Sequence, residues 1–598
     1  MSNAQERADE FIHGEQAFRL GALLTESSHP KTAALSQTIQ RDVHAGIRML
    51  VAVDEEIAPA AAKVFQSEEY AKLVDALMRA LTGAKKIIFT GCGATGRLSI
   101  LLEAAWREFW QRLKREHHQL AAKLPDFEGR VFSVMAGGDY ALIRSVEGFE
   151  DFPRFGRYQL EELGVAPGDV VVAITEGGET PFVIGTAWQG LESGAEVFFV
   201  FNNPAELLCR HVERSRHVIR EPRITKLDLT TGPMAVAGST RMQATSSELL
   251  VVGAALETAL KRLLQSHLPA AALRELGADP DRTFDYASVM SRLVRQLAQP
   301  PALDAMARHV LLEQAVYEQR GLITYAAADY LLDVLTDTTE RSPTFRIPPF
   351  RKRDDTTSAR SWAFVKNPLR DTRDAWWHVF RREPRGLTWT AGTYRRLDAP
   401  ALLRFDPPAL DNEQIYRFPI GNEPVRWRTD APDSAWLLIV VGEEARGASN
   451  ANALLRREFD RRASEFRRTA VLCVGPEPVV HARAEHFYIP VDLSASPLRL
   501  WHHLAIKLVL NTISTGTMAR MGRVLGNWMI WLEPSNKKLI DRGTRLIADL
   551  AGLSYEEACH RLFEAMEEIE SQHRRTQAVP SPVAWSLERL GVLGGGHH

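Results

Sequence analysis

Two α/β units in one chain, each built on a parallel sheet, are the fold class that this sequence predicts. Three observations carry that prediction. Near-continuous apolar runs alternate with helical stretches, which is the pattern of strands covered by helices on both faces. Written without gaps, Lys85 to Ala105 (KKIIFTGCGATGRLSILLEAA) aligns with Arg320 to Glu340 (RGLITYAAADYLLDVLTDTTE), so that Gly91 falls opposite Ala326 and Ala105 opposite Glu340. Near the far end of each unit, Ser246 to Leu263 aligns with Leu504 to Met521, with Leu249 opposite Lys507. Two such pairings in the same order argue for internal duplication. The copies are unequal: the glycine loop survives only in the first, and Glu340 and Lys507 only in the second.

Taken in order, the first 80 residues read as helices around a cap-rich turn, Thr25 to Pro30. The first series of strands is expected at Lys85 to Gly91, Arg130 to Gly138, Asp169 to Glu176, Ala195 to Asn202 and Arg216 to Pro222. The second is expected at Gly321 to Ala327, Ser434 to Gly442, Thr469 to Gly475 and Ala484 to Asp492. Between the first two of these lies Arg351 to Gly386, charged and rich in Trp. It reads as a solvated excursion with aromatic anchors, or as a docking or lid segment. After Asn536 a helical tail reads as a structural cap. These elements set the domain boundaries at 1–60 for an N-terminal helical segment, 61–270 for the first unit, 284–530 for the second and 531–598 for the cap and tail.

Composition narrows the function. The chain has 598 residues, 45% of them hydrophobic, which is enough to bury several cores. With 73 Lys plus Arg against 75 Asp plus Glu, it carries no electrostatic footprint for nucleic acid or an anionic membrane. The four cysteines, Cys92, Cys209, Cys473 and Cys559, are scattered without CxxC or Cys/His clustering, so neither a disulfide framework nor a metal site is expected. A polar, acidic start and the lack of a long apolar run predict a cytoplasmic protein. No cofactor is expected.

Three loops carry the chemistry. Gly91-x-Gly93-x-x-Gly96 follows a strand and opens a helix, which satisfies the bare dinucleotide fingerprint. The acidic residue expected about 20 positions on is missing, because the next strand ends near Asp139. What survives is a phosphate cradle at a helix N-terminus, with Gly93, Gly96 and the Thr95 hydroxyl around it. The second loop, Ile174 to Phe182, offers Thr175, Gly177 and Thr180, although Glu176 and Glu179 beside a phosphate need another role. The third, Gly238 to Gln243, adds Ser239, Thr240 and Arg241. Together they predict one phosphorylated ligand over the carboxyl edge of the first sheet.

These segments resemble the SIS (sugar isomerase) domain, with ITEGGET similar to its phosphate loop. They resemble more closely the N-acetylmuramic acid 6-phosphate etherases and the related glucokinase regulatory protein. The matching stretches are TESSHP, GCGATGRL, Ala136 to Asp151, GSTRM, Asp337 to Phe345 and Lys507 to Met529, which together span nearly the whole chain; the charged insertion is unmatched. The resemblance implies two SIS domains, each a five-stranded parallel sheet flanked by helices, arranged as a pseudo-dimer within a monomer. It implies substrate contacts at Glu147 and catalytic carboxylates at Glu150 and Glu340, with Lys507 assisting. It also implies a ligand of the fructose 6-phosphate or N-acetylmuramic acid 6-phosphate class. The two-unit layout points to a sugar-phosphate sensor or regulator with a sugar kinase as partner. The alternative is an etherase that releases lactate at one composite site. A ketose/aldose phosphate isomerase fits the VEGFED and GSTRM segments less well.

Overall fold

The computed structural model describes residues 3–146, 148–279, 284–573 and 581–594. Its first sheet contains β1 (Ile87–Gly91), β2 (Val131–Met135), β3 (Val170–Thr175), β4 (Glu196–Phe201) and β5 (Ile224–Asp228). Its second contains β6 (Leu322–Ala326), β7 (Ala363–Lys366), β8 (Ser434–Val441), β9 (Arg468–Gly475) and β10 (Glu485–Pro490). The strand orders, β2-β1-β3-β4-β5 and β10-β9-β8-β6-β7, are the same topology in two copies, and every pairing within them is parallel. Strands β1 and β6 occupy the positions that the gapless alignment pairs. β1, β3, β6 and β8 are buried along their whole length, which is why they read as unbroken apolar runs.

Seven helices bear on the site: α1 (Ala94–Glu116), α2 (Pro181–Glu192), α3 (Gln243–Gln265), α4 (Leu331–Phe345), α5 (Thr372–Phe380), α6 (Leu500–Arg520) and α7 (Lys537–Ala551). Helices α1 and α3 of the first unit pack on α4 and α6 of the second, with α1 corresponding to α4 and α3 to α6. The two units are thus related as a pseudo-dimer, and one continuous apolar core runs through both.

Two expectations are corrected. Arg216 to Pro222 is not a strand: Glu213–Arg220 is a helix, and the fifth strand follows it as β5. The helix buries only Ser215 and Val218 and turns its charged residues outward, so its apolar pair in a charged run imitates a short strand. The segment from Arg351 to Gly386 is not a solvated excursion. It supplies the edge strand β7 and the helix α5, and it buries Trp376 and Arg382. Its charges read as surface because their partners, Glu103 and Asp139, lie far away in sequence.

The loop after β1 depends on glycine for close approach. A Cβ on Gly91 would lie 2.3 Å from the carbonyl carbon of Thr95, against backbone that cannot swing away. Gly91→Ala is therefore expected to destabilise the protein by about 1–3 kcal/mol, measured as a fall in the urea midpoint. Gly129→Ala, where a Cβ meets nothing within 4 Å, is expected to stay within about 0.5 kcal/mol of the parent.

Candidate functional site

In a sheet ordered 2-1-3-4-5 the chain reverses direction between the first and third strands, and the crevice opens where their carboxyl ends part. A cavity of about 180 Å³ lies there in the first unit. One wall is the start of α1, with Gly93, Ala94 and Arg97. A second is made by Ala136, Ala141, Ser145, Val146 and Gly148 to Glu150, and a third holds Glu176, Thr180 and Gly238 to Arg241. The second unit closes the cavity with Glu340, Pro343 and Thr344 of α4, and the C-terminal segment adds Asn536, Lys538 and Arg542.

The structure brings together Gly93, Glu150, Thr180, Ser239, Thr240, Arg241 and Glu340 on this lining. Glu150 and Glu340 come from different units. The Ser239 hydroxyl, 4% exposed, has no hydrogen-bond partner of its own, so it is available to a ligand. Four expected residues lie behind the lining. The Thr95 hydroxyl accepts from the Cys92 N–H (3.0 Å) and donates to the Cys92 carbonyl (2.9 Å), fastening the loop to the first turn of α1. Thr175 donates to Thr180 at 3.0 Å and so orients the hydroxyl that does reach the cavity. Gly96 lets Met135 approach, and the Gly177 carbonyl accepts from Asn203. Glu147 lies outside the described residues.

Lys507 faces an adjoining chamber of about 40 Å³, which shares Ala94, Arg97, Arg241 and Glu340 with the main cavity. Its ammonium donates to the Arg241 carbonyl (2.7 Å), the Met242 carbonyl (3.4 Å) and the Ser246 hydroxyl (2.9 Å). Burial pushes it down to about 8, with Glu340 and Asp54 opposing the shift. Lys507 thus holds the Gly238 to Met242 loop from behind.

The carboxyls are the unusual part of the lining. Glu340 pairs with Arg97 at 3.4 Å, and both are buried. Burial raises Glu150 above the usual carboxylate range against the pull of Lys538, 4.0 Å away, while Asn536 donates to it at 3.0 Å. Burial and the nearby Glu340 push Glu176 up to about 7, although Lys538 and a hydrogen bond from Thr245 oppose this. Behind it, burial and then Glu176 itself raise Glu248 well above the usual carboxylate range, and Asn202 bonds to one of its oxygens. Burial alone would lower Lys538, but Glu179 at 2.8 Å and Glu150 outweigh that and raise it.

The C-terminal segment does more than cap the fold. Asn536 is the N-cap of α7: its carbonyl oxygen accepts from the Leu539 N–H at 2.8 Å while its amide reaches Glu150. Sequence reasoning missed Asn536, Lys538 and Arg542. The available signal was the cap residue followed by two cations on one helix face, NKKLIDR, six residues after the GNWM match.

At the symmetry-related place in the second unit the site has closed. The alignment sets Tyr330 opposite Thr95 and Ala105 opposite Glu340. Only about 30 Å³ remains there, lined in part by Ala105, Tyr330 and Arg499, and by His378 and Arg381 at the end of α5.

Doubled sheets of one topology, with a cavity at the switch point of the first, define a protein built from two SIS units. Residues 69–189 match the glucokinase regulatory protein N-terminal SIS domain family. The N-acetylmuramic acid 6-phosphate etherase of Synechococcus sp. (strain CC9902) is 31% identical over 246 residues, covering 41% of this chain and 67% of that protein. The etherase of Edwardsiella ictaluri (strain 93-146) is 27% identical over 236 residues, 40% of this chain and 69% of that protein. The chain belongs to this etherase family of SIS-domain proteins. Among solved structures, the C-terminal domain of glucosamine-fructose-6-phosphate aminotransferase from Francisella tularensis aligns over 80% of this chain and 96% of that one, at 10% identity and a TM-score of 0.41.

The raised Glu176 sets a pH dependence. From its ordinary value of 4.5 up to about 7, the native state binds more protons than the unfolded chain, so stability is full below that window and falls as pH rises through it. Glu176→Gln is expected to flatten the decline by at most about 3 kcal/mol, measured by urea unfolding at several pH values between 4.5 and 7.

Proposed function

We propose that this chain binds a sugar 6-phosphate at one composite site shared by its two SIS units, and that it acts as a sensor or regulator of amino-sugar or hexose phosphate metabolism. One observation carries the reading: Glu150 of the first unit and Glu340 of the second face a single cavity, while the equivalent cavity of the second unit is closed. The phosphate is assigned to the helix N-terminal loop of α1 and to Thr180, Ser239 and Thr240, whose N–H and hydroxyl groups suit an anion. The carboxyls suit the sugar hydroxyls, since a carboxylate accepts and a protonated carboxyl donates. The regulatory reading is supported by how far the polar groups are committed to the scaffold: Lys507 holds backbone carbonyls, and Arg97 holds Glu340. The partner class is a sugar kinase. Removing the Ser239 hydroxyl deletes one charge-assisted contact, so Ser239→Ala is expected to weaken fructose 6-phosphate about 10- to 100-fold in calorimetric titration; unchanged affinity would place the phosphate elsewhere.

A second reading, a lyase that acts on N-acetylmuramic acid 6-phosphate, is favoured by the carboxyls themselves. Elimination of a lactyl ether takes the proton from the carbon next to the sugar carbonyl, breaks the carbon–oxygen bond at the next carbon and returns a proton to the departing lactate oxygen. Glu340 is assigned as the base and Glu150, whose carboxyl burial raises, as the acid. On this reading the wild-type chain releases lactate, and Glu340→Gln lowers the rate about 10²- to 10⁴-fold. Binding without lactate release leaves the regulatory reading standing.

A further inference from the structure

The described wall residues, Ala136 to Val146 and Gly148 to Glu150, carry one short 3-10 turn, Asp139–Leu142, flanked by glycines. Gly137, Gly138 and Gly148 all sit at positive φ (89°, 69° and 75°), so three soft joints lie in the run that ends at Glu150. Its own unit holds it through Gln159, which accepts from the Gly137 N–H at 3.1 Å. The second unit holds it through the strap that leaves α5, from Arg382 to Tyr394, none of which lines the cavity.

The strap grips the wall at both ends. Near its start, the Arg382 guanidinium, 9% exposed, bonds Glu103 of α1 (3.0 and 3.1 Å) and Asp139 of the wall (2.5 Å). The Arg385 N–H donates to the Asp139 carboxylate at 2.6 Å, and the Asp139 N–H donates back to the Arg385 carbonyl at 3.1 Å. Leu387 packs so tightly on Gly138 that a Cβ there would lie 2.9 Å from its Cγ. At the far end, the Trp389 ring stacks on Phe149, the residue before Glu150, with centroids 5.6 Å apart and planes at 23°. Tyr394 meets the same ring edge-on, and the Trp389 indole N–H is anchored on Glu162 at 2.9 Å.

We propose that the strap fixes the sugar-facing wall of the composite site, with Arg382 and Trp389 as positioning residues that place Glu150 without touching the ligand. This rests on the sugar-phosphate reading of the cavity. It adds that the grip on the phosphate and the reading of the sugar are set by different parts of the chain. The start of α1 and the Thr180 loop need no strap contact, whereas the Ala136 to Glu150 wall does. A signal that moved the strap would therefore change which sugar is held before it changed the hold on phosphate.

The test uses the full chain with Trp389→Leu, and with Trp389→Phe as the conservative variant, titrated separately with fructose 6-phosphate and with inorganic phosphate. Trp389→Leu is expected to weaken the sugar phosphate about tenfold or more while inorganic phosphate stays within about twofold, because a displaced contact costs far more than its size suggests. Trp389→Phe is expected to recover most of the loss. Amide hydrogen exchange, which needs no ligand, is expected to quicken in residues 136–146 of Trp389→Leu and to stay unchanged at 91–97. Equal losses for both ligands, faster exchange at 91–97 as well, or no change in either ligand would overturn the proposal. If the wild-type chain binds neither fructose 6-phosphate nor N-acetylmuramic acid 6-phosphate, the sugar-phosphate reading itself fails and this inference falls with it.

Discussion

Arg241 is a cation taken from the first unit and buried in the second. Only 4% of it is exposed, and its guanidinium bonds Asp337 at 3.0 Å and the hydroxyls of Ser514 and Thr515 at 3.1 Å. Asp337 in turn holds Arg341, which reaches Glu313 at 3.1 Å. Stripping one partner from such a network leaves a buried charge unpaired, at a cost of about 3–5 kcal/mol. The backbone is tied in as well, because the Arg241 carbonyl accepts from Lys507 and Asn511. With its side chain and its carbonyl both fixed by the opposite unit, the GSTRM loop has one allowed position, and that position sets Ser239 and Thr240 on the cavity wall. The ligand surface of the first unit therefore depends on the second being docked.

Duplication followed by divergence explains why the chain keeps one such cavity. Two identical units would make two equal sites, each with a loop from one copy and a carboxylate from the other. Here the first unit keeps the glycine loop and has Ala105 where the second has Glu340, while the second keeps Glu340 and has Tyr330 where the first has Thr95. The first cavity is complete and the second is filled, in part by residues at the end of α5. The segment that fills it then continues as the strap across to the first unit. Space given up by one site has become a connection to the other.

Much of this is legible in the sequence because it is local. The strands β1, β3, β4, β6, β8, β9 and β10 announce themselves as apolar runs, and the gapless pairing of Gly91 with Ala326 correctly matches β1 to β6. Glu150, Glu340 and the GSTRM hydroxyls can be singled out because motif and complementary retention point to them. The illegible part depends on contacts distant in sequence. Arg382 looks like a surface charge until Glu103 and Asp139 are seen beside it. The cations of α7 look like a cap until they reach a loop nearly 400 residues earlier, as the Lys538 to Glu150 pair shows. The short β7 is hidden because an edge strand needs only one buried neighbour, and its four residues sit among charges. Thr95 shows the reverse error in kind: its hydroxyl suits a phosphate, yet the turn that creates the cradle takes up that hydroxyl itself.

If two units make a single site, the chain must take up sugar phosphate with a stoichiometry of one. Calorimetric titration of the full chain with fructose 6-phosphate and with N-acetylmuramic acid 6-phosphate is expected to give one ligand per chain, with Thr180→Val in the first unit and Glu340→Ala in the second each abolishing or sharply weakening that single event. Two ligands per chain, or a binding event that survives loss of Glu340 untouched, would contradict it.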